Sequence, residues 1–553
     1  MLWGYLFLEG TTPHQYWYSG YTLNTSDNCV YSSWVQNSAS GHFWERNLFT
    51  SEPSSSVKFN IYYYLLGQIS NVTGITATTL LHLMRLLLIP ALVLTSWWFI
   101  RLQLTQVYQQ RIALLLVCFS AGFGWLFWLF SQTRRWTGPD LWQPESTTYG
   151  SMLWSQHFLL PLILMLLSLG LLQLAERQRS FYLAVGAGLC LLILSNIHGY
   201  DLIPLSVTWT LFVGSQLLSN SPRDYGIIAR GAVAGLIALP GVLYMLWVIK
   251  QDTVFATRVA VPTLSPRLWI YGIGYGSLLL IIMLSMLFDA RRRYNKRTDS
   301  SLLGTELAAD TLPRDSFWLL SCWILGHAIS AYLPLPYQRK LVMGWHFPLA
   351  ILAGYYAYFL LRRLGLVNWR GIGILTIACA GSPIVLTFNA AKMLNDPSYG
   401  FGGKQFLTLP ELQALTWIRE NTDLEAVVQP LPCVTVSPQG QSTKMLTLGD
   451  LVPALTGRRV HAGHWGETPE YPQLAERWAK YLDQHGDLLQ VQQRDFISES
   501  RVDYLLLYAF PLQVGGPRIM NALDIESIPN YLIPVYSTPD QSIMILRVDR
   551  ERL

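Results

Sequence analysis

The stretch 24-NTSDNCVYSSWVQNSASGHFWERNLFTSEP-53 separates a very short apolar start from the first long apolar run of the chain. It carries acids, an Arg, a His and several bulky aromatics, with no obvious apolar stripe. It reads either as an ordered active-site loop or as a polar connector. The choice depends on what surrounds it.

Hydrophobic residues make up 51% of the 553 and charged residues 13%, with mean hydropathy +0.28, a balance foreign to a water-soluble globule of this length. The chain reads as a membrane protein. The net charge of +5 is dispersed, and Lys and Arg sit at the ends of apolar runs, where membrane topology uses them, so no nucleic-acid partner is implied. Cys118, Cys190, Cys322 and Cys379 fall in apolar runs as small hydrophobes, whereas Cys29 and Cys433 lie in polar segments and could pair in an oxidising compartment. Neither CxxC nor HExxH occurs, so no dedicated structural metal site is indicated.

Apolar runs of spanning length begin near residue 79 and recur to residue 392, about ten in all at roughly 20 residues per crossing. The opening MLWGYLFLEG is shorter than a span and resembles the tail end of one or a half-inserted anchor. The segment 58-KFNIYYYLLGQISNVTG-74 suits a helix lying near the membrane interface. The basic loops 101–111, 176–179, 291–297 and 362–370 fall on one side if the runs alternate, and that side is cytoplasmic. The segments 9–78, 131–157, 196–201, 250–267, 333–344 and the tail then face outward. The tail mixes helical 410-PELQALTWIREN-421 and 470-EYPQLAERWAKYLDQ-484 with strand-like 425–429, 502–508, 532–537 and 542–548. The expected fold is therefore an α-helical polytopic membrane protein of about ten spans with a small C-terminal extracytoplasmic α/β domain. Its divisions are 1–78 for the truncated first span, first outer loop and interfacial helix, 79–392 for the transmembrane domain, and 393–553 for the outer domain.

The outward segments hold the unusual polar residues: Asp27, Glu45, Arg46 and Glu52, then Asp140, Glu145 and His157, then His198 and Asp201. Singly, each suits a solvated helix end. Gathered on one surface, a carboxylate against apolar walls gains basicity and suits general-base work or metal binding. Arg339 and Lys340 in 334-PLPYQRKLVMGWHFPLAIL-352 stand on the side where positive charge is disfavoured. They are either an interfacial snorkelling pair or a site for an anionic headgroup or lipid-linked phosphate, with Gln338 or His346 assisting. In 456-TGRRVHAGHWGETPEYP-472, His461, His464 and Glu467 invite a metal reading, although a structural loop is the simpler account.

The runs SDNCVYSSWVQNSASGHFWERNLFTSEP, PDLWQPES with WSQHF, NIHGYD, PYQRKLVMGWHFPLAILAG and LTGRRVHAGHWGETPEYP, together with the many spans and the outer tail, resemble GT-C superfamily glycosyltransferases of bacterial membranes that use polyprenyl-phosphate sugars. The likeness covers essentially the whole chain. It implies a catalytic acid in the first outer loop, here Asp27, with Ser26 and Asn28 where a second acid often stands. That departure favours a lone general base, while leaving room for a divalent cation, Mg or Mn. It implies Glu145 as the second-loop acid with Asp140 in reserve, and Arg339 with Lys340 as phosphate ligands. The implied partners are a polyprenyl-phosphate-linked sugar, the lipid bilayer and a glycan, lipid or protein acceptor. The implied location is the bacterial inner membrane. The rival reading is a non-catalytic protein of the same scaffold that binds lipid-linked glycans or assists envelope assembly. A transporter fits less well, since the spans hold little buried charge and no visible repeat.

Overall fold

The computed structural model describes residues 16–53, 56–130, 138–219, 224–297, 312–395, 405–431, 433–436, 442–445, 448–481, 491–508, 512–513, 518–520 and 528–553. The opening MLWGYLFLEG, the segment 131–137 and the side chains of Cys433 and of the basic run 291–297 lie outside the described residues. The chain forms two compact units, one of Met1–His82, Val248–Val261 and Ala390–Leu553, the other of Leu83–Trp247 and Pro262–Asn389.

In the first unit the tail folds as the alternation of helical and strand-like segments requires. Strands Val428–Pro430, Tyr504–Tyr508, Ile543–Val548 and Leu532–Ser537 lie side by side in that order, the first pair parallel and the others antiparallel. The helix Leu409–Asn421 starts at a capping box, in which the Thr408 hydroxyl accepts from the Glu411 amide and the Glu411 carboxylate accepts from the Thr408 amide. Trp478, Tyr481 and Phe496 from the helices Tyr471–Tyr481 and Val491–Ser500 bury against Leu505, Leu507 and Leu546 of the sheet. A second small sheet orders Ser442–Met445, Cys433–Val436, Arg518–Met520 and Leu512–Gln513. Near the start of the chain, Tyr16–Tyr18 pairs antiparallel with Phe406–Thr408.

The 24–53 stretch is not a loop over its first half. Thr25–Ala39 is a 15-residue helix packed on Ile61–Thr73 and Leu451–Thr456. Its periodicity is invisible in the sequence because it is covered nearly all round, Thr25, Ser32, Ser33, Asn37 and Ser38 being buried together with Val30, Trp34 and Val35. The small polar side chains are admitted because they bond to nearby carbonyls: Ser33 to Val30, Asn37 to Trp44, and Ser38 to Tyr64. Asn24, in the left-handed region at φ 52°, turns the chain into the helix. Ile61–Thr73 leaves Leu65, Ile69 and Val72 exposed at 53%, 44% and 84%, the apolar edge that an interfacial helix needs.

Among the described residues of the chain, four helices are long and apolar enough to cross a membrane, or up to seven if each of three bent pairs is one span. The expected runs near 316–333 and 345–361 are the helices Arg314–Ser330 and His346–Arg363. The runs expected on either side of 196–201 form one helical stretch, Phe181–Ser219, interrupted where His198 leaves helical geometry at φ −150°, ψ 62° and Gly199–Asp201 makes a 3-10 turn.

The bent pairs, Val107–Phe119 with Gly124–Phe130, Leu268–Gly274 with Gly276–Leu287, and Trp369–Cys379 with Gly381–Asn395, turn by 42°, 84° and 65°. Their breaks bond to one another. The Phe123 amide donates to the Ile273 carbonyl at 2.8 Å and the Ala121 amide to the Cys379 carbonyl at 3.0 Å. The backbone groups freed by each break are thereby satisfied inside the second unit. Gly122 is obligatory there, since a Cβ would lie 2.0 Å from the Ile273 carbonyl oxygen.

Candidate functional site

Asp27 lies in the first turn of Thr25–Ala39, where the partial positive charge of the helix start favours a carboxylate. The Asn24 amide donates to its Oδ2 at 2.6 Å, and His464 Nε2 stands 3.3 Å from its Oδ1. The proton position on His464 follows from its other nitrogen. Nδ1 accepts the backbone amides of Gly466 and Glu467, both at 3.1 Å, so the ring proton is on Nε2, the nitrogen on the Asp27 side. The imidazole is 3% exposed and the Asp27 side chain 31%, an arrangement of a reachable carboxylate backed by a fixed N–H.

The loop carrying His464 is held by the segment after the helix. Thr468 Oγ1 accepts the amides of Gly463 and His464 and donates to the Phe49 carbonyl, while the Asn47 amide donates to the Glu467 carbonyl at 2.7 Å. His461 is turned elsewhere. Its Nδ1 bonds Ser51 Oγ at 2.7 Å, its ring packs edge-on to Trp478 and Phe496, and burial with Arg477 nearby pushes its pKa down to about 4. It lines a cavity of about 310 Å³ shared with Glu52, Arg477, Glu499 and Arg501.

Beside Asp27's helix is an ionic cluster that sequence reasoning missed in part. Lys58 Nζ donates to Glu45 at 2.5 Å, and Arg258 donates to Glu467 at 2.8 Å and reaches Glu45 at 3.7 Å. Both cations lie over the ring of Trp34, at 4.5 and 5.0 Å from its centroid, and over Phe255. Burial lowers the Lys58 pKa, with Glu45 opposing that shift and Arg258 reinforcing it. Burial raises that of Glu467, with Arg258 as the main opposing charge. Glu45 and Glu467 were expected among the outer polar residues; Lys58 and Arg258 were not singled out, although both fall in segments expected to face outward, where cations are disfavoured. Arg46 is engaged apart from this group, in a bidentate pair with Glu425 at 2.5 and 2.6 Å.

No group of three or more His, Cys, Asp or Glu side chains among the described residues is arranged to hold a metal ion. At Asp27 both oxygens face N–H donors, His464 Nδ1 is taken by two amides and Glu467 is held by Arg258. The expected His461, His464 and Glu467 set is thus not a ligand set, and the residues at Asp27 do not fit a divalent ion.

The second unit has its own cluster. His198 Nδ1 bonds Asp201 Oδ2 at 2.6 Å and His198 Nε2 bonds the Tyr200 hydroxyl at 2.7 Å, with His157 edge-on to His198 at 5.0 Å. Lys340 Nζ lies 5.4 Å over the Tyr200 ring, and Tyr200 neighbours Tyr337 at 6.0 Å. Arg339 stacks on Trp142 at 5.5 Å, with its carbonyl accepting from Gln143. Glu145 occupies the turn Pro144–Ser146 next to these residues in sequence. Gln338 and His346 serve the frame: the Gln338 amide donates to the Leu333 carbonyl and its oxygen accepts from Ser265, while buried His346 bonds Ser120 and Thr148. Asp140 is buried at the helix breaks, where its Oδ2 accepts from the amides of Gly122 and Gly124 and from the Ser382 hydroxyl at 3.1, 3.2 and 2.6 Å.

No family model matches the chain, and no curated protein matches it. Solved structures do. The archaeal oligosaccharyltransferase AglB from Archaeoglobus fulgidus, in complex with an inhibitory peptide and a dolichol-phosphate, aligns with TM-score 0.51 and 13% identity over 87% of this chain and 65% of that chain. A structure of the Archaeoglobus fulgidus oligosaccharyltransferase with Zn and sulfate aligns with TM-score 0.49 and 13% identity over 94% of this chain and 68% of that one. The first likeness shows that the chain shares the fold of that oligosaccharyltransferase. The chain spans about 65% of the AglB chain's length.

Proposed function

We propose that the protein is a multi-pass membrane glycosyltransferase that moves a sugar from a polyprenyl-phosphate donor to an extracytoplasmic acceptor, with Asp27 as the base. The observation that carries this reading is the reachable Asp27 carboxylate at a helix start, backed by the Nε2–H of His464. The acceptor hydroxyl gives its proton to Asp27 as its oxygen bonds to the sugar's anomeric carbon. The bond from that carbon to the phosphate oxygen breaks, with inversion, and the polyprenyl phosphate leaves with the electron pair. A positioned base of this kind contributes on the order of 10²–10⁴-fold. In the second unit, Arg339 and Lys340 are the proposed ligands of the donor phosphate, with His157, His198 and Asp201 around them. Glu145 is the proposed second acid. No step is assigned to a divalent ion.

The topology that accompanies this reading has about ten crossings: the bent pairs counted as spans, Phe181–Ser219 counted twice about His198, and Arg314–Ser330 and His346–Arg363 added. The helix bearing Asp27 and the tail then lie outside a bacterial inner membrane. The absence of an acid at Ser26 and Asn28 favours one rival, a scaffold that binds the lipid-linked sugar without turning it over.

The test is turnover by purified protein with a panel of labelled polyprenyl-phosphate sugars, wild type against Asp27→Asn. The expected result is turnover by wild type and a loss of at least 10²-fold in the variant with an unchanged melting profile. Donor binding with turnover by neither would replace the enzyme with the scaffold.

A further inference from the structure

The cavity that His461 lines has no part in the reaction above. It lies wholly within the first unit, between 51–53 at the end of the opening stretch, the loop up to residue 470, and the helices Tyr471–Tyr481 and Val491–Ser500. Its volume of about 310 Å³ stands at the lower end of the range for small-ligand sites. The walls carry charge of both signs. Glu52, Glu470 and Glu499 offer acceptors only, and Arg477 and Arg501 offer donors only; all five are exposed. Arg477 donates to Glu499 at 2.7 Å, with its guanidinium 4.4 Å over the Phe496 ring.

Two of these side chains are kept against the preference of the backbone. Glu470 stands at φ 49° and Arg501 at φ 57°, in the left-handed region where a Cβ crowds the following carbonyl. Arg501 comes directly after the helix Val491–Ser500, where glycine ordinarily ends a helix. Among the described residues, neither side chain makes a hydrogen bond or an ion pair that would hold the fold in return. Strain of this kind at the rim of a cavity points to a ligand.

The inventory of donors and acceptors decides its class. An anion would suit the two guanidiniums and meet three carboxylates, and a cation would meet the reverse. A hydroxyl both donates and accepts, so a neutral polyol engages both kinds of group, with its C–H faces against Phe496 and Leu474. A peptide shares that double character, but extended peptides are captured on a strand edge, and none of the lining residues belongs to a strand.

We infer that this cavity binds a saccharide and, resting on the reading of Asp27 as the base, that the saccharide is the acceptor glycan. His461 lines the cavity and His464 backs Asp27; being three residues apart on one loop, their Cα atoms are separated by no more than about 11 Å. A glycan of a few units spans such a separation, one part seated in the cavity and a hydroxyl presented to the carboxylate. The step is binding only, with no bond made or broken.

The measurement is the dissociation constant of the full chain in nanodiscs, without donor, for short neutral gluco-, manno- and galacto-oligosaccharides, with inorganic phosphate and an oligo-alanine peptide alongside, by titration calorimetry. Arg501→Gly removes the guanidinium and gives the left-handed position the residue that suits it. It is expected to weaken the saccharide about tenfold, with a melting temperature equal to or above that of wild type. Glu52→Gln should weaken it by about the same factor. With the bound saccharide as acceptor in the turnover assay, Arg501→Gly should raise KM about tenfold and leave kcat unchanged. If no saccharide binds, or if both variants bind it as wild type does, the site is overturned; phosphate or peptide captured with the same sensitivity to the variants would take the saccharide's place. Variant-sensitive saccharide binding in a protein without turnover would keep the glycan site and strike its acceptor role along with the enzyme. Turnover with a KM untouched by Arg501→Gly would strike the acceptor role alone.

Discussion

The two aspartates first considered as catalytic candidates show how placement separates chemistry from architecture. Asp27 presents a carboxylate that remains reachable, whereas Asp140 spends one oxygen on three donors at the helix breaks. Burial pushes the Asp140 pKa up to about 6, against the pull of Ser382, Gly124 and Gly122. An acid whose folded pKa exceeds its unfolded value binds more protons in the native state, so it favours folding below the unfolded value and this contribution is lost as pH rises from about 4 to about 6. The gap corresponds to about 3 kcal/mol. Asp140→Asn keeps an acceptor oxygen and loses the titration. Melting temperatures in detergent from pH 4.5 to 7.5 should therefore show wild type losing stability relative to the variant as pH rises, and parallel curves would assign Asp140 no such role. In sequence the two residues looked alike, because a carboxylate's partners come from segments far away along the chain.

At the scale of elements, the helix that carries Asp27 was hidden for a physical reason. A helix covered on all sides has no polar face, and Ser, Thr and Asn within it mimic a loop unless their bonds to carbonyls are known. Long apolar helices and tail strands were legible because an unbroken apolar run and the alternation of a half-buried sheet each mark the sequence. Helix breaks were less so: apolar composition runs across Ser120 to Phe123 and Tyr275 without a signal of the bond partners that permit the turns. The close approach of Thr25–Ala39 to Ile61–Thr73 depends on Gly67, where an added Cβ would lie 2.3 Å from the Ser38 Cβ and 2.8 Å from the Ala39 nitrogen. Gly67→Ala is thus expected to destabilise the protein by about 1–3 kcal/mol. Adding Ser38→Gly removes the nearer clash but not the backbone one, so thermal melting of the pair should recover part of the loss; full additivity would mean that the two helices do not meet there.

For the whole molecule, the decisive contacts join segments that no local pattern links. The first unit draws on three stretches of chain, and the middle one, Val248–Val261, interrupts the second unit's sequence to bring Arg258 beside Glu467, Glu45 and Trp34. Reading the sequence could flag Arg258 only as a cation on an unfavourable side, since its partners lie in the first segment and in the tail. Removing it leaves a buried carboxylate without its main opposing charge, a loss worth about 3–5 kcal/mol. Glu467, already raised by burial, would rise further in Arg258→Gln. Because a raised acid favours the folded state only while protonated, the variant should lose more stability at pH 8 than at pH 5 relative to wild type. Limited proteolysis within Val248–Val261 should accelerate in parallel. Arg258→Gln combined with Glu467→Gln removes the uncompensated charge together with its cause, and should restore most of the stability at pH 8; a double variant as weak as Arg258→Gln would show that packing of the guanidinium on Trp34 and Phe255, not the ion pair, holds the segment.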